Sequence, residues 1–384
     1  RWTFLQVYLL VMGSEWLQGP YMYSLLRDDK HLSPAIVAIL YTATYGAAAA
    51  SAPWTGYLTD RFGRRAACLC FCAIHSLATV SILFDRIEIL VPGRMLGGIG
   101  LSLLWTAFES WMLSEHKSRE LEQSSIPMSS MFGIMTTANC MTAILAGLFA
   151  HCVVLALGSK TDPFMIGLIL DAVAAVLMLC TWNENCGAQL SSSVELNADT
   201  WMKKKSWLHE IASLFQNRKI LILSLVSCCF EGTIFLLMFY WPGALQEAHS
   251  LDGADVDVTT PYGVIFANFM ASMALGALLF GILMDESSGL ENSARSLLPI
   301  VLLSGALLLA GLSFLTAALA KTETQLFGAF LVLEACNGLY VPGIAYQRGK
   351  IVSDAGRASV YGLMNIPLFV FVIIALLTTN KDSG

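Results

Sequence analysis

Four glutamates interrupt long apolar stretches of the 384-residue chain: Glu15, Glu109, Glu231 and Glu334. An ionised carboxylate that faces lipid costs at least about 2.5–3.5 kcal/mol, even on insertion scales. We therefore expect these side chains to face a water-filled interior or one another, where a carboxylate can take up and release a proton. The alternative for any one of them is a structural acid that pairs with a neighbouring helix.

A short charged segment, residues 56–65, separates the apolar runs 33–58 and 66–84. One acid and three arginines lie within it, beside two glycines. This composition predicts a tight turn at a membrane surface and a latch that holds the cytoplasmic gate closed. The alternative is a signal that fixes only the topology. The predicted gate residues are Asp60, Arg61, Arg64 and Arg65.

The composition is that of a membrane protein. Apolar residues make up 56% of the chain and charged residues 13%, whereas soluble domains carry about 25% charged residues. The apolar residues form long blocks, and a membrane-crossing helix needs about 20 of them. We therefore predict an all-α, multi-pass protein embedded in the lipid bilayer. Eleven runs qualify as spans: 2–26, 33–58, 66–84, 88–113, 125–157, 163–182, 219–245, 259–285, 294–320, 323–347 and 357–379.

Sequence motifs of several other protein classes are missing. The sequence contains no Walker loop, no H-E-x-x-H and no G-x-S-x-G, so we expect neither an ATP-driven pump nor an enzyme. Most cysteines lie inside apolar runs and lack the spacing of metal ligands. There is no nucleic-acid signature, and we expect no metal, cofactor or nucleic-acid partner.

The charged segment reads G-x-L-x-D-R-x-G-R-R and resembles the loop between the second and third helices of the major facilitator superfamily of secondary transporters. Residues 281–285 echo residues 56–60, at the position expected if six helices repeat. The resemblance implies a six-helix half at 1–182, a cytoplasmic linker at 183–218 and a second half at 219–384. The superfamily has twelve helices, so five of the second six are visible and we expect the twelfth to be missing from this chain.

In the superfamily, spans one, four, seven and ten line a central cavity, and the four glutamates fall in these spans. Arg94 lies inside span four, four residues before Gly98, and resembles the arginine of the superfamily's fourth-helix motif. We predict that the substrate-binding or coupling residues are the four glutamates together with Gln18, Tyr21, Arg94, Asn139, Asn337 and Asn365.

Several stretches resemble a narrower family, the molybdate-anion transporters. They include 15–23, 93–116, 230–232, 263–266 and 338–342. The resemblance spans nearly the whole chain and implies uptake of molybdate, a tetrahedral dianion. It also implies a basic residue in span five and an arginine before the proline of span eleven, where this chain has Ile134 and Asn365.

Our leading hypothesis is a secondary active transporter that moves a small anion, with molybdate as the first candidate and protons as coupling ions. One alternative is a transport-inactive accessory subunit that keeps the fold, and another is a facilitator for a neutral or cationic solute. We expect a plasma-membrane location, with an organelle membrane as the alternative. The sequence does not indicate a protein partner or an oligomeric state.

Overall fold

The computed structural model describes residues 2–118, 128–185, 217–251, 261–286, 292–352 and 357–379. Every long element in these ranges is an α-helix. An interior without water forces each backbone N–H and C=O to bond within its own segment, which a helix achieves. The eleven helices are α1 Trp2–Ser24, α2 Pro34–Phe62, α3 Arg64–Ser81, α4 Ile87–Ser118, α5 Met128–Leu157, α6 Asp162–Thr181, α7 Arg218–Leu251, α8 Tyr262–Glu286, α9 Asn292–Leu319, α10 Glu323–Ile351 and α11 Arg357–Thr379.

Nine of these helices are long and apolar enough to cross a membrane by length and composition, counted over the described ranges. The remaining two, α1 and α3, are less apolar. Helix α1 contains Glu15 and Gln18, and α3 begins with Arg64 and Arg65. The prediction of an all-α, multi-pass membrane protein is confirmed. The eleven helices also coincide with the eleven predicted spans.

Helices α7 and α10 extend beyond their predicted spans. Helix α10 runs to Ile351, four residues past the predicted end, and therefore includes Arg348. The linker predicted at 183–218 falls mostly at 186–216, outside the described residues. The cytoplasmic linker therefore stays a prediction.

Helix α1 continues through Pro20, where the sequence predicts a break or kink. The proline removes one N–H, so the carbonyl of Trp16 loses its intrahelical partner, but the helix continues to Ser24. A π-helical turn, Leu25–Asp29, follows. The helix is therefore not broken at Pro20.

The chain forms two compact units, each built from non-contiguous segments. The first contains residues 1–33, 121–173 and 236–347, and the second contains 34–120, 174–235 and 348–384. Each unit thus contains helices from both predicted halves. The division of the chain into two six-helix halves joined at 183–218 stays a prediction.

Each unit has its own close helix contacts. In the first, α5 packs against α8 and α1; in the second, α2 packs against α4 and α11, and α3 against α4. Glycine permits the closest of these approaches, because a Cβ at Gly98 of α4 would collide with the carbonyl of Thr44 in α2. In the first unit, a Cβ at Gly338 of α10 would likewise collide with the carbonyl of Met273 in α8.

Candidate functional site

Glu334 is a completely buried acid of the first unit. It lies in the middle of α10 with 0% of its surface exposed. Its Oε2 accepts a hydrogen bond from Asn337 Nδ2 at 3.1 Å, one helical turn away. Its Oε1 is also enclosed and, among the described residues, has no hydrogen-bond partner. Burying a carboxylate with so little compensation is costly unless it gains a proton or a cation.

Two sulfur-containing side chains lie near Glu334 and Asn337. Asn337 Nδ2 also lies 3.7 Å from Met273 Sδ on α8. Cys140 of α5 is buried within electrostatic range of the Glu334 carboxylate. Residues of α5 and α8 therefore lie near this part of α10, and one amide is the only hydrogen-bond partner of Glu334 among the described residues.

Side-chain hydrogen bonds tie α1 to α5 in the same unit. Trp16 Nε1 donates to Asn139 Oδ1 at 2.8 Å. One and a half turns further along α1, Tyr21 Oη lies 3.1 Å from His151 Nδ1. These bonds place two predicted site residues, Asn139 and Tyr21, along the α1–α5 contact.

Glu15 and Gln18 lie on the same helix, α1, with Glu15 half-buried and Gln18 buried. Ser14 Oγ donates to the carbonyl of Gly167 at 2.9 Å, which joins α1 to α6. One turn further along α6, Asp171 is completely buried. Sequence reasoning missed Asp171, although an acid inside an apolar run was the signal that identified the four glutamates.

The predicted gate segment lies in the second unit, at the junction of α2 and α3. Arg64 is completely buried, and its Nη2 donates to Asp60 Oδ1 at 3.0 Å. Its Nη1 donates to the carbonyl of Ser110 on α4 at 3.1 Å. Arg64 therefore joins three helices of this unit, with Asp60 as its counter-charge.

The other two arginines have different surroundings. Arg61 is exposed and donates to Tyr57 Oη at 2.7 Å, whereas Arg65 Nη2 donates to the carbonyl of Leu179 on α6 at 3.0 Å. Glu184 caps the start of α3 by accepting from the backbone N–H groups of residues 65 and 66 at 2.8 and 3.1 Å. Sequence reasoning missed Glu184, because it assigned this residue to the linker.

Gly63 allows the close approach of Glu184. Its φ is +116°, a backbone conformation that side-chain-bearing residues rarely adopt, and a Cβ there would collide with the Glu184 carboxylate. The second glycine of the charged segment thus has a specific steric role at this turn.

Glu231 of α7 is held by an arginine of the same unit. Arg348 Nη2 lies 2.7 Å from Glu231 Oε1 and also donates to Ser227 Oγ. The two charged side chains are 12% and 21% exposed. This pairing matches the alternative of a structural acid, and sequence reasoning missed it because Arg348 was assigned to a loop.

Three further site residues lie in the second unit. Arg94 is buried on α4, one turn before Gly98. Glu109 lies half-buried on the same helix, with its Oε1 enclosed. Asn365 is buried on α11. The second unit therefore contains Asp60, Arg64, Arg94, Glu109, Glu231 and Asn365, and the first contains Glu15, Gln18, Tyr21, Asn139, Glu334 and Asn337.

Ile134 is half-buried and lies on the same side of α5 as two exposed residues. It precedes Met141 by seven residues and Leu145 by eleven, spacings that place all three on one side of a helix. Met141 and Leu145 are 50% and 63% exposed.

Comparisons with known proteins agree over most of the chain. A family profile described as sugar transporters with twelve transmembrane segments matches residues 1–336. The molybdate-anion transporter of Takifugu rubripes is 30% identical over 401 residues, and that of Xenopus tropicalis is 28% identical over 386 residues. These alignments cover 99% and 100% of this chain and 79% of each relative.

One solved structure resembles this chain in fold only. The crystal structure of a point mutant of the nucleoside transporter NupG matches with a TM-score of 0.64 at 15% sequence identity. The match covers 99% of this chain and 91% of that one.

Proposed function

Because this chain belongs to the major facilitator superfamily and to the twelve-span transporter family matched at residues 1–336, we propose that it carries molybdate across a membrane together with protons. The observation that carries the choice of substrate is the similarity to molybdate-anion transporters along the entire chain. Alternating access, in which a central site opens to one side at a time, is the expected mechanism.

Glu334 is the proposed proton carrier. Its complete burial and its single amide hydrogen bond make the ionised form expensive within this enclosure. Molybdate is a dianion, so a proton taken up with it lowers the charge that has to cross the apolar interior. We assign to Glu334 the uptake of that proton on one side and its release on the other.

The anion needs N–H donors or cations to replace its hydration shell. Each unit offers proposed donors, Asn139 in the first and Arg94 and Asn365 in the second, since amides and a guanidinium supply N–H groups without adding negative charge. Arg64 and Arg348 are less suited to this role, because Asp60 and Glu231 already neutralise them.

Uptake of radioactive molybdate by cells that express the protein tests this proposal. We expect uptake to rise as the external pH falls, because a lower pH supplies the co-transported proton. Glu334→Gln imitates the protonated acid permanently, so it should lower net uptake by at least about tenfold and abolish the pH dependence. Glu88→Gln is the matched control, because Glu88 is exposed in the first turn of α4.

Two results would contradict the proposal. One is the absence of molybdate uptake by wild-type protein that is folded and inserted, as judged by size-exclusion chromatography. The other is an unchanged pH dependence in Glu334→Gln.

A neutral solute is the second candidate, because the matching family profile is described as sugar transporters. An acid-containing site with its strongest ion pairs already formed also suits a hydroxyl-bearing solute. Competition distinguishes the candidates: an excess of unlabelled sugars should leave molybdate uptake unchanged if the anion is the substrate. A transport-inactive protein would show uptake of neither.

A further inference from the structure

Trp16 makes one polar contact that the proposed mechanism has not used. Its indole Nε1–H donates to Asn139 Oδ1 at 2.8 Å, from α1 to α5 within the first unit. On its other side, the indole ring lies against Phe266 of α8, with 5.7 Å between ring centroids. The ring is therefore held by aromatic packing while its N–H reaches the amide.

This hydrogen bond fixes the orientation of the Asn139 amide. An asparagine side chain can both donate and accept, but an indole N–H can only donate. The atom that faces Trp16 must therefore be the carbonyl oxygen. The amide NH₂ group therefore points away from Trp16. On the side away from Trp16, Asn139 can act only as a hydrogen-bond donor.

Asn139 lies on the more buried side of α5 but is itself partly accessible. Asn139 lies two residues before the exposed Met141, on the opposite side of α5 from Met141 and Leu145. Its side chain is only half-buried, and among the described residues Nδ2 has no hydrogen-bond partner. The two N–H groups of Nδ2 are thus available to a solute.

We propose that Trp16 is a positioning residue that determines selectivity by locking Asn139 as an N–H donor for a tetrahedral oxyanion. The inference rests on the proposed function and extends it to a residue outside the predicted site. An oxyanion such as molybdate only accepts hydrogen bonds. A sugar hydroxyl both donates and accepts, so a freely rotating amide serves it equally well. A locked donor therefore favours the oxyanion.

Asn337 provides a contrast within the same unit. Its Nδ2 donates to Glu334 Oε2, so its own carbonyl oxygen points elsewhere. The two amides are therefore held in opposite senses. Asn139 is oriented to serve the anion, and Asn337 is oriented to serve the acid.

The test combines Trp16→Phe, Asn139→Leu and the double variant in molybdate uptake. Trp16→Phe keeps an aromatic ring against Phe266 and removes the N–H together with part of the indole ring. We expect it to raise the KM for molybdate at least about fivefold with little change in the maximal rate, because the amide is then free to turn its oxygen toward the anion. Trp54→Phe is the matched control, since Trp54 is 61% exposed on α2.

A second variant reverses the polarity directly. In Asn139→Asp, one carboxylate oxygen can accept from Trp16 while the other points at the solute, so uptake should fall further than in Asn139→Leu. Because Trp16 acts through Asn139, adding Trp16→Phe to Asn139→Leu should change the KM by less than about twofold.

The outcomes separate this inference from the proposed function. If folded wild-type protein takes up no molybdate, the proposed function fails and the inference fails with it. If wild type transports molybdate but Trp16→Phe has an unchanged KM, the inference alone is wrong. It is also wrong if Trp16→Phe has the same effect in the Asn139→Leu background, because Trp16 would then act only through packing.

Discussion

Removing the carboxylate of Asp60 should destabilise the second unit, because Arg64 would stay buried without its counter-charge. Deleting one partner of a buried ion pair costs about 3–5 kcal/mol. The Asp60 side chain is 12% exposed and that of Arg64 is 0% exposed, so water can partly replace the lost carboxylate. We therefore expect Asp60→Ala to cost about 3 kcal/mol, the lower end of this range.

A milder substitution and a double variant refine the magnitude. Asp60→Asn keeps an oxygen that can accept from Arg64, so its cost should be about 1–2 kcal/mol. Replacing both partners, as in Asp60→Ala with Arg64→Met, removes the stranded charge. The double variant should therefore recover about 1–2 kcal/mol relative to the sum of the single changes.

Asp285 provides the matched control. It occupies the corresponding position in the echo at 281–285, but it is exposed and has no ion pair among the described residues. Asp285→Ala should change stability by less than about 0.5 kcal/mol. Unfolding of purified protein in mixed micelles, followed by tryptophan fluorescence, measures these differences. Equal effects at the two aspartates, or strictly additive effects at Asp60 and Arg64, would refute the reasoning.

Two further predictions concern the other charged residues of the second unit. Glu231→Ala should cost about 2 kcal/mol in the same unfolding assay, since it leaves Arg348 partly buried, and adding Arg348→Met should restore part of the loss; a double variant less stable than either single variant contradicts this. Arg94→Gln should lower molybdate uptake at least about tenfold, whereas Asn365→Arg should lower the KM by adding a cation. Unchanged uptake in both properly inserted variants would remove the physical support for an anion site.

The sequence was sufficient to predict the helices, because each apolar run must satisfy its own backbone in lipid. It also placed Asp60 beside three arginines, but it did not indicate which of them pairs with the carboxylate. The partner of Glu231 could not be predicted either. Its distance from Arg348 is 117 residues along the chain, and the pairing depends on how two long helices are rotated about their axes.

Rotation about the helix axis also limits what the sequence could predict in α5. A residue number alone does not say which face of a helix is buried, and polar residues such as Thr137, Asn139 and Thr142 lie at several angles around this one. Met141 and Leu145 are exposed, and Asn139 lies on the opposite side of the helix. The contact between Trp16 and Asn139 follows from that rotation, which is why the sequence indicated the amide but not its partner.

In each unit, a glycine one helical turn after a charged residue lets the helix pack closely against its neighbour; the charged residues are Arg94 and Glu334. Each of these residues lies one turn before a glycine, and each glycine touches the backbone of a neighbouring helix, at Thr44 and Met273 respectively. A larger side chain at either glycine would push its helix outward, so the glycines fix the position of the charged residue that precedes them. The predicted repeat thus has equivalent backbone contacts but opposite charges. On the proposed function this asymmetry is what coupling requires, because the arginine attracts the anion and the glutamate takes up the proton.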